Sequence, residues 1–528
     1  MAFADLLEQV GSMGRFQYLH VTLLSLPILM LASHNLLQNF AAAVPPHHCA
    51  FRGNLSVPGL DTEETLRISV PLDQRGRPQQ CRRYAQPQWH LLGSNSSVEP
   101  EDKMEVKEME TEGCVDGWNY DMRDMTSTII SEWDLVCDLR SLKRMGQTVY
   151  MGGVLVGALV FGGLSDRFGR RVLLLISNLL LAVSGTCAAF STSFTMFCVF
   201  RFFCGMGLSV VEWVPTRVRT IVGTVTGYCY TIGQIILAMV AYYIRDWRWL
   251  ILAVSLPFYA FFLYSWWFLE SARWLVLSKK PEQAVKNLKA VAYINGRHAE
   301  REKINLEVTT GQRLVPAFRS NKPFNNQLGV DLLRTQTLRT ITICLSAVCF
   351  AYYGLSMDLQ KFGVNIYLIQ VIFGAVDIPS KIIVTVCMST IGRRLSQCGA
   401  LVLSGVAIFI NLLVPYELQL VRTTLAVIGK GCLAASFSCC YLYSGELYPT
   451  NGMGWVTMMG RLGAMVAPMV LMLVEVKVWL PGLIFGGVPI LSGIFAYFLP
   501  ETLASPLPDT IQDDKNTLGH FLYSLNWL

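Results

Sequence analysis

Apolar stretches of about 20 residues recur along this chain between polar segments, each long enough to cross ~30 Å of hydrocarbon as a helix. Their spacing predicts twelve spans, at 16–44, 146–164, 172–191, 194–213, 220–243, 247–269, 338–357, 364–388, 396–414, 421–444, 454–475 and 478–499. Residues Met1 to Arg15 are polar and the first span is longer than a signal-peptide core, so no cleavable leader is expected. Two polar segments stand out by length, 45–140 and 271–337. The predicted class is an all-α polytopic membrane protein.

Composition agrees: 52% of the 528 residues are hydrophobic and 15% charged, which excludes an ordinary soluble domain. The net charge of +6 is no nucleic-acid signal, because the charges follow the spans. Residues 50–135 carry a net −7 and residues 271–340 a net +8. Short loops report orientation best. Arg167, Arg170 and Arg171 follow the second span, Arg217 and Arg219 the fourth, and Arg393 and Arg394 the eighth. Threading twelve spans puts all of these, and both termini, on the cytoplasmic side.

The segment 45–140 is then extracellular. It holds two sequons, at Asn54 and Asn95, and four cysteines, Cys49, Cys81, Cys114 and Cys137. An even cysteine count in an oxidising compartment predicts two disulfides, with three pairings open. The other eleven cysteines lie in or near spans and read as small apolar packing residues.

A duplication is visible: Gly169-Arg-Arg after span two is echoed by Gly392-Arg-Arg after span eight. Two six-helix halves, 16–270 and 338–499, joined by a basic linker at 271–337 and followed by a tail at 500–528, fit a carrier with its site near the midplane. No metal-ligand spacing, nucleophile elbow or P-loop appears, so neither an enzyme nor a cofactor or metal is expected.

Ionisable groups inside the spans point to the cargo. Arg461 sits in the middle of span eleven, where a cation is costly unless it faces water or a partner, and the nearest acid on its own helix, Glu475, is at the far end. Such a cation suits a carboxylate or sulfate, which Arg can bind in bidentate fashion. Lys381 follows Asp377 by four residues in span eight, so the two can pair on one face. Lys430, Phe437 and Tyr441 fall on one stripe of span ten, a cation beside aromatic rings. Tyr230 and Gln234 in span five, Tyr352 and Tyr353 in span seven, and His34, Asn35 and Gln38 in span one add aromatic faces and neutral donors.

Several motifs then carry a resemblance. Gly163-Leu-Ser-Asp-Arg-Phe-Gly-Arg-Arg171 resembles the loop 2–3 signature of the major facilitator superfamily. Val211-Glu-Trp-Val-Pro-Thr-Arg217, Glu270-Ser-Ala-Arg-Trp-Leu275, Gly445-Glu-Leu-Tyr-Pro-Thr450, Leu499-Pro-Glu-Thr502, Pro506-Leu-Pro-Asp-Thr-Ile-Gln512, Met1-Ala-Phe-Ala-Asp-Leu-Leu and Pro45-Pro-His-His-Cys49 are similar to the organic anion transporter branch of the organic-ion solute carriers, nearest its renal-type exchangers. The resemblance implies a multi-pass plasma-membrane carrier of aryl carboxylates, sulfate conjugates, prostaglandins or urate, exchanging them against a dicarboxylate or chloride. It implies substrate roles for Arg461, Lys381, Phe437 and Tyr441. Asp166, Arg167, Arg170, Glu212, Arg217, Glu270, Arg273, Arg393 and Glu446 cluster at the inner ends of helices, and gating by ion pairs that lock the outward-facing state is expected of them. The other readings are a cation or zwitterion carrier of the same fold and a transport-impaired splice form that acts by association.

The chain departs from that pattern between Gly207 and Val211. About nine residues are absent, which shortens the fourth span by ~13 Å and would turn Arg201 to a wrong face. Roughly four are absent before Phe350 and after Thr450, rotating a helix face by only ~40°.

Overall fold

The structure, a computed structural model, describes residues 14–50, 62–73, 76–89, 110–211, 219–278, 280–296, 336–357, 359–362, 364–415, 417–447 and 453–503. Each predicted span meets a helix: α1 (Arg15–Leu36), α2 (Arg140–Phe168), α3 (Arg170–Ala189), α4 (Phe194–Val211), α5 (Arg219–Tyr243), α6 (Trp247–Ser265), α7 (Gln336–Ser356), α8 (Ile366–Thr390), α9 (Arg393–Leu413), α10 (Gln419–Leu447), α11 (Met453–Met472) and α12 (Leu480–Tyr497). Among the described residues eleven are long and apolar enough to cross a membrane; α4, through Phe194–Leu208, is the shorter apolar one. Arg201 precedes the departure from the family pattern and is buried against α1 and α2.

The chain forms two compact units. The smaller, Ala41–Lys143 with Arg245–Trp247, is tied by Cys49–Cys114 and Cys81–Cys137, one of the three open pairings. Its strands are short: β1 (His47–Cys49) pairs antiparallel with β4 (Trp118–Tyr120), and β2 (Arg83–Tyr84) with β3 (Thr111–Glu112). Arg83 is buried between Glu112 and Asp116, at 2.8 and 2.7 Å. Asn54 and Asn95 lie outside the described residues.

The larger unit holds the twelve spans, and one apolar core runs through both halves, from Leu31, Tyr150 and Phe258 to Phe350, Leu433 and Phe485. Without a hydrophobic drive between helices in lipid, close packing depends on small residues. The two halves use them alike. A Cβ on Gly233 of α5 would come to 2.0 Å from the Leu29 carbonyl of α1, and one on Gly463 of α11 to 2.2 Å from the Ser346 carbonyl of α7.

The Gly-Arg-Arg repeats are alike in three dimensions. Gly169 (φ +93°) and Gly392 (φ +100°) are the N-caps of α3 and α9, in the left-handed region that favours glycine. The amides of Arg170 and Arg171 donate to Glu270 at 3.0 and 3.1 Å. Those of Arg393 and Arg394 donate to Glu501 at 2.8 and 3.0 Å. Each half thus caps a helix N-terminus with a carboxylate from just after its last span, where the helix dipole favours an anion. A Cβ at either glycine would strike that carboxylate.

On the side that the charge distribution assigns to the exterior, the halves are in contact. Asn39 donates to the Ser356 carbonyl at 2.8 Å, and Phe40 stacks on Tyr367 (5.5 Å), which meets Tyr242 edge-on (5.6 Å). These contacts close α1 and α5 against α7 and α8 at their outer ends.

Candidate functional site

Among the described residues, five Asp, Lys and Arg side chains stand near the middle of their helices: Arg201 on α4, Asp377 and Lys381 on α8, Lys430 on α10 and Arg461 on α11. Four are cations and one is an anion. Arg201, Asp377, Lys430 and Arg461 are buried and Lys381 is half-buried.

Asp377 takes its partners from three other helices. Lys430 Nζ donates to its two oxygens at 3.0 and 3.2 Å, Tyr352 Oη at 3.0 Å and Gln234 Nε2 at 3.3 Å. The expected pairing of Asp377 with Lys381 on one helix face is corrected accordingly: the carboxylate is bonded by Lys430, Tyr352 and Gln234, and the Lys381 ammonium is bonded to α5. That ammonium donates to the Gly227 carbonyl and to Thr231 Oγ1 of α5, both at 2.6 Å. Lys430 also lies 3.6 Å from the centre of the Tyr352 ring, so its charge is held inside the protein as one member of a buried ion pair.

The stripe read from span ten is real and continues onto span seven. Tyr352 packs on Phe437 (5.5 Å), and Phe437 on Tyr441 (4.9 Å), so an aromatic wall runs from Lys430. Phe437 and Tyr441 are only partly buried. A second set centres on Asn35. Its oxygen accepts from Tyr150 at 2.8 Å, its amide nitrogen lies 3.4 and 3.5 Å from the hydroxyls of Tyr230 and Tyr353, and its carbonyl accepts from Gln147 at 3.2 Å. Tyr230 and Tyr353 are themselves 3.5 Å apart, a contact between the halves. Gln234, donating to Tyr352 at 3.0 Å, is another.

His34 faces elsewhere. It is fully buried, edge-on to Phe258, with its carbonyl accepting from Arg201 at 3.1 Å and its Nδ1 at 3.4 Å from the same guanidinium. Arg201 in turn lies 4.1 Å over the Tyr150 ring. These contacts set His34 against Arg201 and Phe258 within the first half. Arg461 is buried one turn before Met465, whose sulfur approaches Gly152 of α2, and lies within electrostatic reach of Tyr150.

The cytoplasmic residues pair within each half. Glu270 caps α3, Arg393 bonds Glu446 at 3.1 Å, and Thr502 donates to Glu446. These pairs are intact while the outer ends are closed, so their presence does not distinguish an outward-facing state. Arg167 lies 5.5 Å over Phe168. Glu212 and Arg217, and the side chains of Asp166 and Arg273, lie outside what is described.

Sequence reasoning missed Glu501 as a cap and Arg201, Tyr150 and Thr231 as polar partners. The Gly-Arg-Arg repeat was a signal for the first, since Glu270 and Glu501 follow the sixth and twelfth spans in parallel. The others had none beyond a polar residue in a span.

Comparison with known proteins places the chain. The family described as sugar (and other) transporter matches residues 105–511. Solute carrier family 22 member 6 of Danio rerio is 69% identical, over 97% of this chain and 94% of the relative. Organic anion transporter 3 of Pongo abelii is 47% identical, over 98% and 94%. Among solved structures, the major facilitator superfamily proton:xylose symporter XylE, bound to a bromodeoxyglucose, matches with TM-score 0.53 at 18% identity, over 70% of this chain and 88% of that one. A partially occluded inward-open XylE from E. coli gives 0.55 at 17%, over 69% and 89%. At these identities the structures show the shared fold.

Proposed function

The chain belongs to the organic anion transporter branch of solute carrier family 22 and is a multi-pass membrane protein of major facilitator fold; on that premise we propose that it carries organic anions across the plasma membrane by alternating access. The observation behind this reading is the mid-membrane charge balance among the described residues, four Lys and Arg to one carboxylate, with the carboxylate engaged by Lys430. A low-dielectric site with excess positive charge favours a carboxylate or sulfate and disfavours a cation. In this reading Arg461 and Lys381 supply charge, and Tyr230, Tyr353, Phe437 and Tyr441 supply flat apolar faces for an aryl group. Asn35 orients the tyrosines, while Lys430 and Tyr352 set the shape of the wall.

The finer reading is exchange. The halves 16–270 and 338–499 rock about the site, one anion moves in as a dicarboxylate moves out, and the cytoplasmic caps keep each half rigid during the motion. Uptake of labelled p-aminohippurate into cells expressing the chain tests the transport, with preloaded dicarboxylate testing the exchange. Uptake is expected, is stimulated by the preload, and falls by tenfold or more in Arg461→Ala at matched surface level. Uptake that survives Arg461→Ala unchanged would remove Arg461 from the path. A chain that reaches the surface and moves no anion would favour the association-only reading.

A further inference from the structure

We infer that Thr231 is a specificity-setting residue that competes with the cargo: it holds the Lys381 ammonium in reserve on α5, and an incoming anion must take the ammonium from it. This rests on the anion-carrier reading above.

Three observations carry it. The first is the direction of Lys381. Its natural neighbour on the same helix, Asp377, is engaged by Lys430, Tyr352 and Gln234, and Lys381 crosses to the other half of the molecule. The second is the polarity of its receptor. Thr231 Oγ1 donates its proton to the Gly227 carbonyl at 3.1 Å, so the hydroxyl lone pairs are left to accept from Lys381. A single turn of α5 thereby presents two oxygens to one ammonium, each at 2.6 Å. The third is the fit of the helices. A Cβ on Gly374 of α8 would come to 2.7 Å from Ile235 of α5, while Gly227 stands 3.6 Å (from its Cβ position) from Nζ. Close approach of α5 and α8 brings the ammonium to the threonine.

Both acceptors are neutral. They satisfy the hydrogen-bonding needs of a lysine without cancelling its charge, whereas a carboxylate would do both. The ammonium thus stays available to a charged ligand, and the exchange of a neutral acceptor for an anionic one favours loading. The same contacts join α5 of one half to α8 of the other, so each loading event loosens one tie between the halves. Affinity is lowered by whatever the hydroxyl contributes to the empty state, as expected of a site whose ligand must also leave.

The test is the concentration dependence of p-aminohippurate uptake in Thr231→Val, Thr231→Ala and Thr231→Ser, each corrected for surface level, and in the same changes on a Lys381→Met background. Removing the hydroxyl is expected to lower KM about three- to tenfold, the net scale of one ordinary intramolecular hydrogen bond. Serine should restore the wild-type KM, and on Lys381→Met neither valine nor alanine should move it. An unchanged or raised KM in both Val and Ala variants, or an equal drop on the Lys381→Met background, overturns the inference and leaves Thr231 a packing residue. Absence of uptake by the wild-type chain instead overturns the anion-carrier reading, and this one with it.

Discussion

At the scale of single residues, the central finding is which cation is bound to what. Four basic side chains were visible in the spans, but their surroundings diverge: Lys430 is held by Asp377, Arg201 by His34 and Tyr150, and Lys381 by Thr231 and Gly227, while Arg461 lies within electrostatic reach of Tyr150. Position along the helix does not distinguish them, since every one lies near mid-span. The Asp377–Lys430 pair makes a sharp prediction. Asp377→Asn leaves a fully buried ammonium unpaired, a cost of about 3–5 kcal/mol, whereas replacing both partners by neutral groups is close to neutral. Thermal unfolding in detergent should therefore show Asp377→Asn clearly destabilised and Asp377→Asn/Lys430→Met largely restored. A single variant as stable as wild type would mean that water or another group compensates the lysine. Tyr352 belongs to the same network, which explains why a residue read as an aryl platform also donates to a carboxylate.

At the scale of elements, the two helix caps show how a short motif becomes a joint. Gly169 and Gly392 have positive φ, and each leaves no room for a Cβ beside the carboxylate that caps the following helix. Alanine at either position meets both problems, so Gly169→Ala and Gly392→Ala are each expected to destabilise by more than about 1 kcal/mol. Reduced surface level and a lowered melting temperature would record it, and equal effects at the two sites would support the duplication. The disulfides act on another element. Cys49–Cys114 and Cys81–Cys137 close loops of 65 and 56 residues, so losing either is expected to cost up to about 4 kcal/mol in the chain-entropy picture. Cys49→Ser/Cys114→Ser should make the segment between α1 and α2 more susceptible to extracellular protease.

At the scale of the whole molecule, the halves are closed at their outer ends by Asn39 on Ser356 and by the rings of Phe40, Tyr367 and Tyr242. If these rings are an outer gate, Tyr367→Ala shifts the population toward the open side. A cysteine placed at the buried Ser356 should then react faster with a membrane-impermeant thiol reagent than it does with Tyr367 present. Equal rates would assign the closure to other contacts. What the sequence determined by itself was the class, the spans to within a few residues and the presence of two disulfides. These follow from local quantities: run length against bilayer thickness and the parity of cysteines. It also placed the aromatic stripe of α10, because helical periodicity fixes which residues share a face. Tertiary structure alone decided which cysteines pair, that Asp377 faces Lys430 and not Lys381, that His34 turns inward to Arg201, and that Lys381 rests on Thr231. The physical reason is that each of these contacts joins helices far apart in the chain. A side chain's place on its own helix is set by its neighbours in sequence, but the partner it meets depends on how twelve helices pack.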